Sequence, residues 1–185
     1  MNDKLQRKIN NLQNIDRLPF DELVEFFPLN DRDQVLDLGA GAGYTSLSIA
    51  NQVDRVCAFD FDQDILEYLG TVAKEQAINN IEAVAGDFRD MPLEDKRFDK
   101  AIASISLHEA SPLESALKEI NRVLKDKGLF LCIELEKNDT IHAPRVPFAE
   151  MKATLLQSGF SIVDTIFPET KVANQAIYII IAQKN

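Results

Sequence analysis

Residues 34–51 constrain this chain more than any other stretch. Gln34-Val35-Leu36-Asp37-Leu38 is a short apolar run, Gly39-Ala40-Gly41-Ala42-Gly43 alternates glycine with alanine, and a helical pattern then continues to about Asn51. A strand that turns at once into a helix needs residues that tolerate a tight backbone and close approach, and glycine meets both needs. A second apolar run at residues 55–59 follows at crossover distance, so the segment predicts a parallel strand–helix–strand unit. The glycine turn lets a ligand approach the backbone, but a G-x-G-x-G run also suits a purely structural turn.

The alternation persists downstream. From Asp62, the residues Ile65, Leu66, Leu69, Val72 and Ala73 form one helical stripe, and Ile81–Ala85 reads as a third strand. Phe98–Ser104 is an apolar run that fits a fourth strand buried on both faces. The next helix begins with a capping-box signature: Ser111 as the cap, Pro112 in the first turn and Glu114 closing the box. Its stripe is Leu113, Leu117, Ile120 and Leu124, with Gly128 where the chain leaves it. Residues 129–135 form the fifth strand, a loop with Pro144 and Pro147 leads to a helix ending near Ser158, and residues 160–167 and 176–182 follow with no helix between them. Those last two runs predict a terminal antiparallel hairpin.

Ahead of this pattern lie two short amphipathic helices, one carrying Leu5, Ile9 and Leu12, the other Phe20, Leu23, Val24 and Phe27 after Pro19. The apolar face of the second either covers a bound ligand and excludes water or packs on the sheet as core. With no repeat or linker, the chain of 185 residues reads as a single domain, residues 1–30 covering or packing on its core.

Thirty acidic against twenty basic residues give a formal charge of -10, which opposes the phosphate neutralisation that dominates nucleic-acid affinity. Bulk nucleic acid is therefore not an expected partner. No run reaches the roughly 20 apolar residues of a membrane span, and the N-terminus lacks the apolar core of a signal peptide, so a cytoplasmic location is expected. Cys57 and Cys132 fall inside strand-like runs and read as buried small hydrophobes. No metal-ligand spacing appears, and no metal is expected.

Two further acids follow strands. Asp60 ends the second strand about twenty residues beyond the glycine turn, where a carboxylate can accept both hydroxyls of a ribose. Asp62 is better placed than Asp60 to cap the helix that follows. Asp87, in Ala85-Gly86-Asp87-Phe88, lies at the same sheet edge and can accept from an exocyclic adenine amine, with Phe88 or Phe61 against the ring. Asp60 can instead cap the following helix, and Gly86-Asp87 after a strand is also an ordinary turn.

Together the glycine turn, Asp60, Gly86-Asp87-Phe88, Arg97-Phe98-Asp99 and the helix Glu119-Ile120-Asn121-Arg122-Val123-Leu124 resemble, in order and spacing, the class I S-adenosylmethionine-dependent methyltransferases, in their ubiquinone/menaquinone-biosynthesis-like group. The resemblance runs from about Asp33 onward. It implies an α/β fold, a Rossmann-like three-layer sandwich whose seven-stranded sheet is mostly parallel with an antiparallel C-terminal hairpin strand. It also implies S-adenosylmethionine as methyl donor and S-adenosylhomocysteine as product. The cofactor residues carried over are Asp37, Gly39, Ala40, Gly41 and Tyr44 around the turn, Asp60 and Phe61 after the second strand, Asp87 and Phe88 after the third, and Ser104 at the end of the fourth. Lys125-Asp126-Lys127-Gly128 departs from the family's usual Lys-Pro-Gly-Gly, a change in a surface turn. The segment after the fifth strand is short where larger relatives insert substrate-binding elements, so the acceptor does not carry over.

The sulfonium methyl is already activated, and transfer requires mainly an aligned nucleophile. A base helps when the acceptor is a phenol, thiol or protonated amine, and His108, after the fourth strand on the ligand-binding edge, is the candidate. A loop histidine bonded to backbone is the plainer reading. Glu109 suits either the helix start or the pocket rim. Glu134 faces either the acceptor or a basic neighbour, and His142 and Arg145 either touch the acceptor or are solvated. The acceptor is expected to be a small, partly apolar molecule, and the oligomeric state stays open. Two other readings remain: a non-catalytic S-adenosylmethionine-binding protein or partner subunit, and a nicotinamide-dependent oxidoreductase, for which Gly43 falls one residue early and Tyr44 takes the small-residue position.

Overall fold

The computed structural model describes residues 3–137 and 143–185. Its elements run α1 (Asp3–Gln13), α2 (Phe20–Phe26), β1 (Gln34–Leu38), α3 (Tyr44–Ile49), β2 (Arg55–Asp60), α4 (Gln63–Glu75), β3 (Ile81–Ala85), β4 (Phe98–Ser104), α5 (Leu113–Val123), β5 (Leu124–Leu135), α6 (Phe148–Gln157), β6 (Phe160–Ile166) and β7 (Ile177–Lys184). The strands form one seven-stranded sheet in the order β3-β2-β1-β4-β5-β7-β6. The pairs from β3 through β5 are parallel, while β7 runs antiparallel to both β5 and β6. This is the mostly parallel Rossmann-like sandwich with an antiparallel terminal hairpin.

Strand alternation assigns the two faces. Leu36, Leu38, Phe59, Ala101, Cys132 and Tyr178 meet Leu117, Ile120 and Val123 of α5 and Met151 and Leu155 of α6. Their neighbours Val35, Val56, Ile102, Leu131 and Ile179 face the other way, against Leu23 of α2, Ile49 of α3 and Phe27. On that same side, Leu66 and Leu69 of α4 cover Ala58. Cys57 and Cys132 are buried free thiols, with burial pushing Cys57 up to about 12 and Cys132 well above its ordinary value.

The local signals hold at one helix and fail at another. Asp62 caps α4, its side chain accepting from the amides of Asp64 and Ile65. The capping box expected at Ser111 does not form. Pro112 occupies the cap position of α5 with no side-chain cap bond, so Ser111 stands outside the helix. The exit also comes earlier than expected: α5 ends at Val123, Leu124 joins β5 opposite Phe98, and a register irregularity carries the pairing on to Lys100 and Leu129. Tertiary pairing with β4 overrides the helical periodicity that extends to Leu124.

In α2, Leu23 and Phe27 next to it are 4% and 1% exposed and belong to the sheet-packed core. In α1, Ile9 is buried and the Leu12 side chain lies against Gly41 of the glycine turn. No described helix is long and apolar enough to cross a membrane.

Candidate functional site

Strand order reverses between β1 and β4, and the carboxyl ends of β1 to β5 open there into a cleft of three joined compartments. The first holds Phe61, Gly86, Asp87 and Phe88; the second Asp37, Ala40, Tyr44, Thr45 and Arg17; the third, about 380 Å³, Gly41, Asp60, Ile105, His108 and Arg145. Phe61 and Phe88 are shared by the first and third, and Gly39, Ser104 and Arg17 by the second and third. All the cofactor residues implied by resemblance, together with His108, therefore line one continuous cleft.

The glycine turn is pinned to the end of β2. The amides of Gly39 and Ala40 both donate to the Phe59 carbonyl, at 2.8 and 3.1 Å, and the Gly41 amide donates to Asp60 Oδ2 at 2.9 Å. Asp60 Oδ1 accepts the Asp62 amide at 3.0 Å, which fixes a nearly buried carboxylate at the cleft. Gly39 has φ +74°, and a Cβ there would lie 2.4 Å from Ser106 Cβ, so only glycine fits between turn and β4 loop. Gly43, at φ +95°, is required by α4: an added Cβ would meet Leu69 Cγ at 2.9 Å.

Asp37 points from β1 toward α3, where Ser46 Oγ donates to its Oδ2 at 2.6 Å. Burial pushes this carboxyl up to about 6, against the smaller opposing effects of Ser46 and Arg17. Arg17 lines the same compartment. Burial lowers its guanidinium from its ordinary value, Asp37 and Tyr44 partly offset this, and no described residue hydrogen-bonds it. Tyr44 is half-exposed, its hydroxyl donating to the Leu18 carbonyl at 3.3 Å.

Asp87 is exposed and gripped by Arg89, whose side chain and amide hold its carboxyl down to about 2. Arg89 in turn donates to the Ser111 carbonyl at 2.8 Å. Phe88 packs on Phe59 with ring centroids 5.9 Å apart, and Lys8 stands 4.7 Å from the centroid of the exposed Phe61 ring while pairing with Asp62.

Beyond β4 the backbone is held in an unusual shape: Ile105, β-branched, sits at φ +56° with its amide donating to the Ile133 carbonyl at 2.8 Å. That kink sends the 3₁₀ turn Leu107–Glu109 over the end of β5. Glu134 there is fully buried and tied to the turn: Oε1 accepts the amides of Leu107 and His108 at 2.7 and 3.2 Å, and Oε2 lies 3.0 Å from His108 Nδ1. An ionised carboxylate only accepts, and a neutral imidazole facing one through Nδ1 carries its proton there and exposes Nε2 as its acceptor nitrogen. Of the two readings of Glu134, pairing with a basic neighbour is what occurs. Glu109 is exposed at the rim, and the half-buried Arg145 lines the cavity. His142 lies outside the described residues.

Sequence reasoning missed Arg17, Ser106 and Gln175. Arg17 and Gln175 lie outside the stretches that carry spacing motifs, and only folding brings them to the cleft. Ser106, whose Oγ donates to the Leu38 carbonyl at 2.8 Å, lies two residues before His108 but carries no signature.

A family model described as a methyltransferase domain matches residues 35–128, the segment from β1 into β5 that supplies the turn, Asp60, Asp87 and His108. The chain is 32% identical over 101 residues to an uncharacterised methyltransferase, YcgJ, of Bacillus subtilis, covering 55% of this chain and 40% of that protein. It is 30% identical over 144 residues to the demethylmenaquinone methyltransferase of Staphylococcus aureus, covering 75% and 56% respectively. The chain thus spans about half the length of these relatives. A solved structure described as a SAM dependent methyltransferase from Aquifex aeolicus superposes with a TM-score of 0.79 at 20% identity, covering 98% of this chain and 97% of the other, a likeness of fold.

Proposed function

Because the chain belongs to the methyltransferase-domain family, we propose that its cleft holds S-adenosylmethionine and that it transfers the sulfonium methyl group to a small-molecule acceptor, leaving S-adenosylhomocysteine. The observation that carries this reading is the order of chemistries along the cleft. Phe61 and Phe88 offer apolar faces for an adenine, with Asp87 beside them; Asp87 Oδ2 accepts only from Arg89 and keeps capacity for the exocyclic amine. Asp60 comes next, suited to a ribose diol. The buried Asp37 and Arg17, which no described residue hydrogen-bonds, both line one compartment, which suits the ammonium and carboxylate of an amino acid. A dinucleotide would instead bring a pyrophosphate to the turn beside the Asp37 carboxylate, an unfavourable neighbour.

Bound there, S-adenosylmethionine supplies a methyl carbon already activated by its sulfonium charge. What the chain adds is placement and, for a protonated acceptor, a base. Glu134 holds the His108 ring in one tautomer, and His108 Nε2 takes the acceptor's proton. Leu12 of α1 and the apolar side chains of Ile15, Ile105 and Leu135 reduce access of water to the same cavity.

Calorimetry with S-adenosylhomocysteine and with a nicotinamide dinucleotide tests the cofactor. Saturable binding of the first alone is expected, and binding of the dinucleotide alone overturns the reading. Release of S-adenosylhomocysteine across a panel of small phenols, thiols and amines then separates an enzyme from a binding module.

A further inference from the structure

The wall of the cavity beyond His108 holds a guanidinium that methyl transfer itself does not require. Arg145 lies in the segment entering α6, and Gln175 on the turn between β6 and β7; both line the cavity that His108 lines. Both are carried on determined backbone. The hydroxyl of the buried Tyr178 donates to the Val146 carbonyl at 2.8 Å, anchoring the Arg145 segment. Val172 and Gln175 exchange both backbone hydrogen bonds, at 3.1 and 2.9 Å, around Ala173 and Asn174 at φ +50° and +59°, a tight turn of the kind that fixes hairpin register.

Protein groups satisfy Arg145 on one side only. Nη1 donates to the Pro144 carbonyl at 2.7 Å, Nη2 reaches Gln175 Oε1 at a long 3.3 Å, and Nε is buried with no acceptor among the described residues. No described carboxylate pairs with it. A buried N–H donor without a partner is destabilising and calls for an explanation. The Nε–Nη2 edge is the one whose two parallel N–H groups match the two oxygens of a carboxylate.

Building on the methyl-transfer reading, we propose that Arg145, with Gln175, is an anion subsite that selects acceptors carrying a carboxylate apart from the nucleophile that His108 deprotonates. Ile15, Ile105 and Leu135 line the same cavity and suit an apolar body, so the acceptor class is a small hydroxy, thiol or amino acid with an apolar spacer. The long Gln175 contact yields on binding, and its amide NH₂ then donates to the same anion. A neutral analogue leaves Nε unpaired, which is how a buried polar group discriminates against a ligand that lacks its partner. On a chain of net charge -10 the overall field does not draw anions in, so the preference rests on this local pair.

Matched probes test the subsite on the full chain saturated with S-adenosylhomocysteine: benzoate and 4-hydroxybenzoate against benzamide and 4-hydroxybenzamide, measured by calorimetry. The acids are expected to bind at least about tenfold more tightly than the amides. Arg145→Met is expected to remove that preference, and Arg145→Lys, which keeps the charge but not the flat edge, to remove most of it. Gln175→Ala should weaken the acids several-fold, with S-adenosylhomocysteine affinity unchanged in all three variants as the control for folding. Equal affinity for acids and amides, no detectable binding of either acid, or an acid preference that survives Arg145→Met overturns the subsite while leaving the cofactor reading intact. Failure of S-adenosylhomocysteine to bind the unaltered chain overturns both.

Discussion

Replacing Asp37 with asparagine should stabilise the ligand-free protein and weaken its hold on cofactor. The side chain is 2% exposed, and its ionisation is displaced from 3.8 to about 6, chiefly by burial. Since the folded state binds the proton more tightly than the unfolded chain, the favourable contribution of protonated Asp37 is complete below 3.8 and is lost as pH rises through about 6. At about 1.4 kcal/mol per pH unit, the ionised group holds about 3 kcal/mol against folding at pH 8 and about 1 kcal/mol near pH 4.5. The asparagine amide of Asp37→Asn keeps an oxygen for the Ser46 hydroxyl and carries no charge, but its NH₂ has to fit where an oxygen stood. A gain of about 1–3 kcal/mol at pH 8 is therefore expected, or about 2–4 °C in Tm per kcal/mol. Urea denaturation of both proteins at the two pH values measures it, and the gap should narrow on acidification. Calorimetry should show S-adenosylhomocysteine about tenfold weaker, through loss of the charged partner for its ammonium. A variant less stable than its parent at pH 8, or a gap indifferent to pH, would refute the assignment of Asp37 as a buried carboxylate kept for its ligand.

Asp60→Ala should weaken S-adenosylhomocysteine by about 1.5–3 kcal/mol in calorimetry without unfolding the chain, and Asp60→Asn should be milder; unchanged affinity would place the ribose elsewhere. Gly39→Ala combines φ +74° with a 2.4 Å contact to Ser106 Cβ, and chemical denaturation should show a loss of about 2–4 kcal/mol. Once an acceptor with an ionisable proton is in hand, His108→Ala should lower kcat about 10²–10⁴-fold with S-adenosylhomocysteine affinity retained, and an undiminished kcat would remove His108 from the chemistry. Removing residues 1–14 should leave a folded protein that binds S-adenosylhomocysteine more weakly, read by circular dichroism and calorimetry, whereas removing residues 1–27 takes Leu23 and Phe27 from the core and should unfold it.

Much of this architecture was legible because its signals are local. Apolar runs of strand length separated by helical stripes require a parallel sheet, and the Asp62 cap, the glycine turn and the acids after β2 and β3 are read from a few adjacent residues. Position along such a sheet also implies position in space, since the carboxyl ends of parallel strands share one edge, so Asp37, Asp60, Asp87 and His108 could be placed together from the sequence alone. Where local signals met long-range pairing, they failed: Leu124 carries helical spacing but belongs to β5, and Ser111 has a cap's chemistry but Pro112 takes the cap position. The partners of functional groups were equally out of reach. That Glu134 grips His108 across 26 positions, that Arg17 faces Asp37, and that Gln175 meets Arg145 depends on crossovers bringing distant segments to one edge. No periodicity encodes such contacts, because each side chain's role is set by the burial and charge of neighbours that only the folded chain assembles.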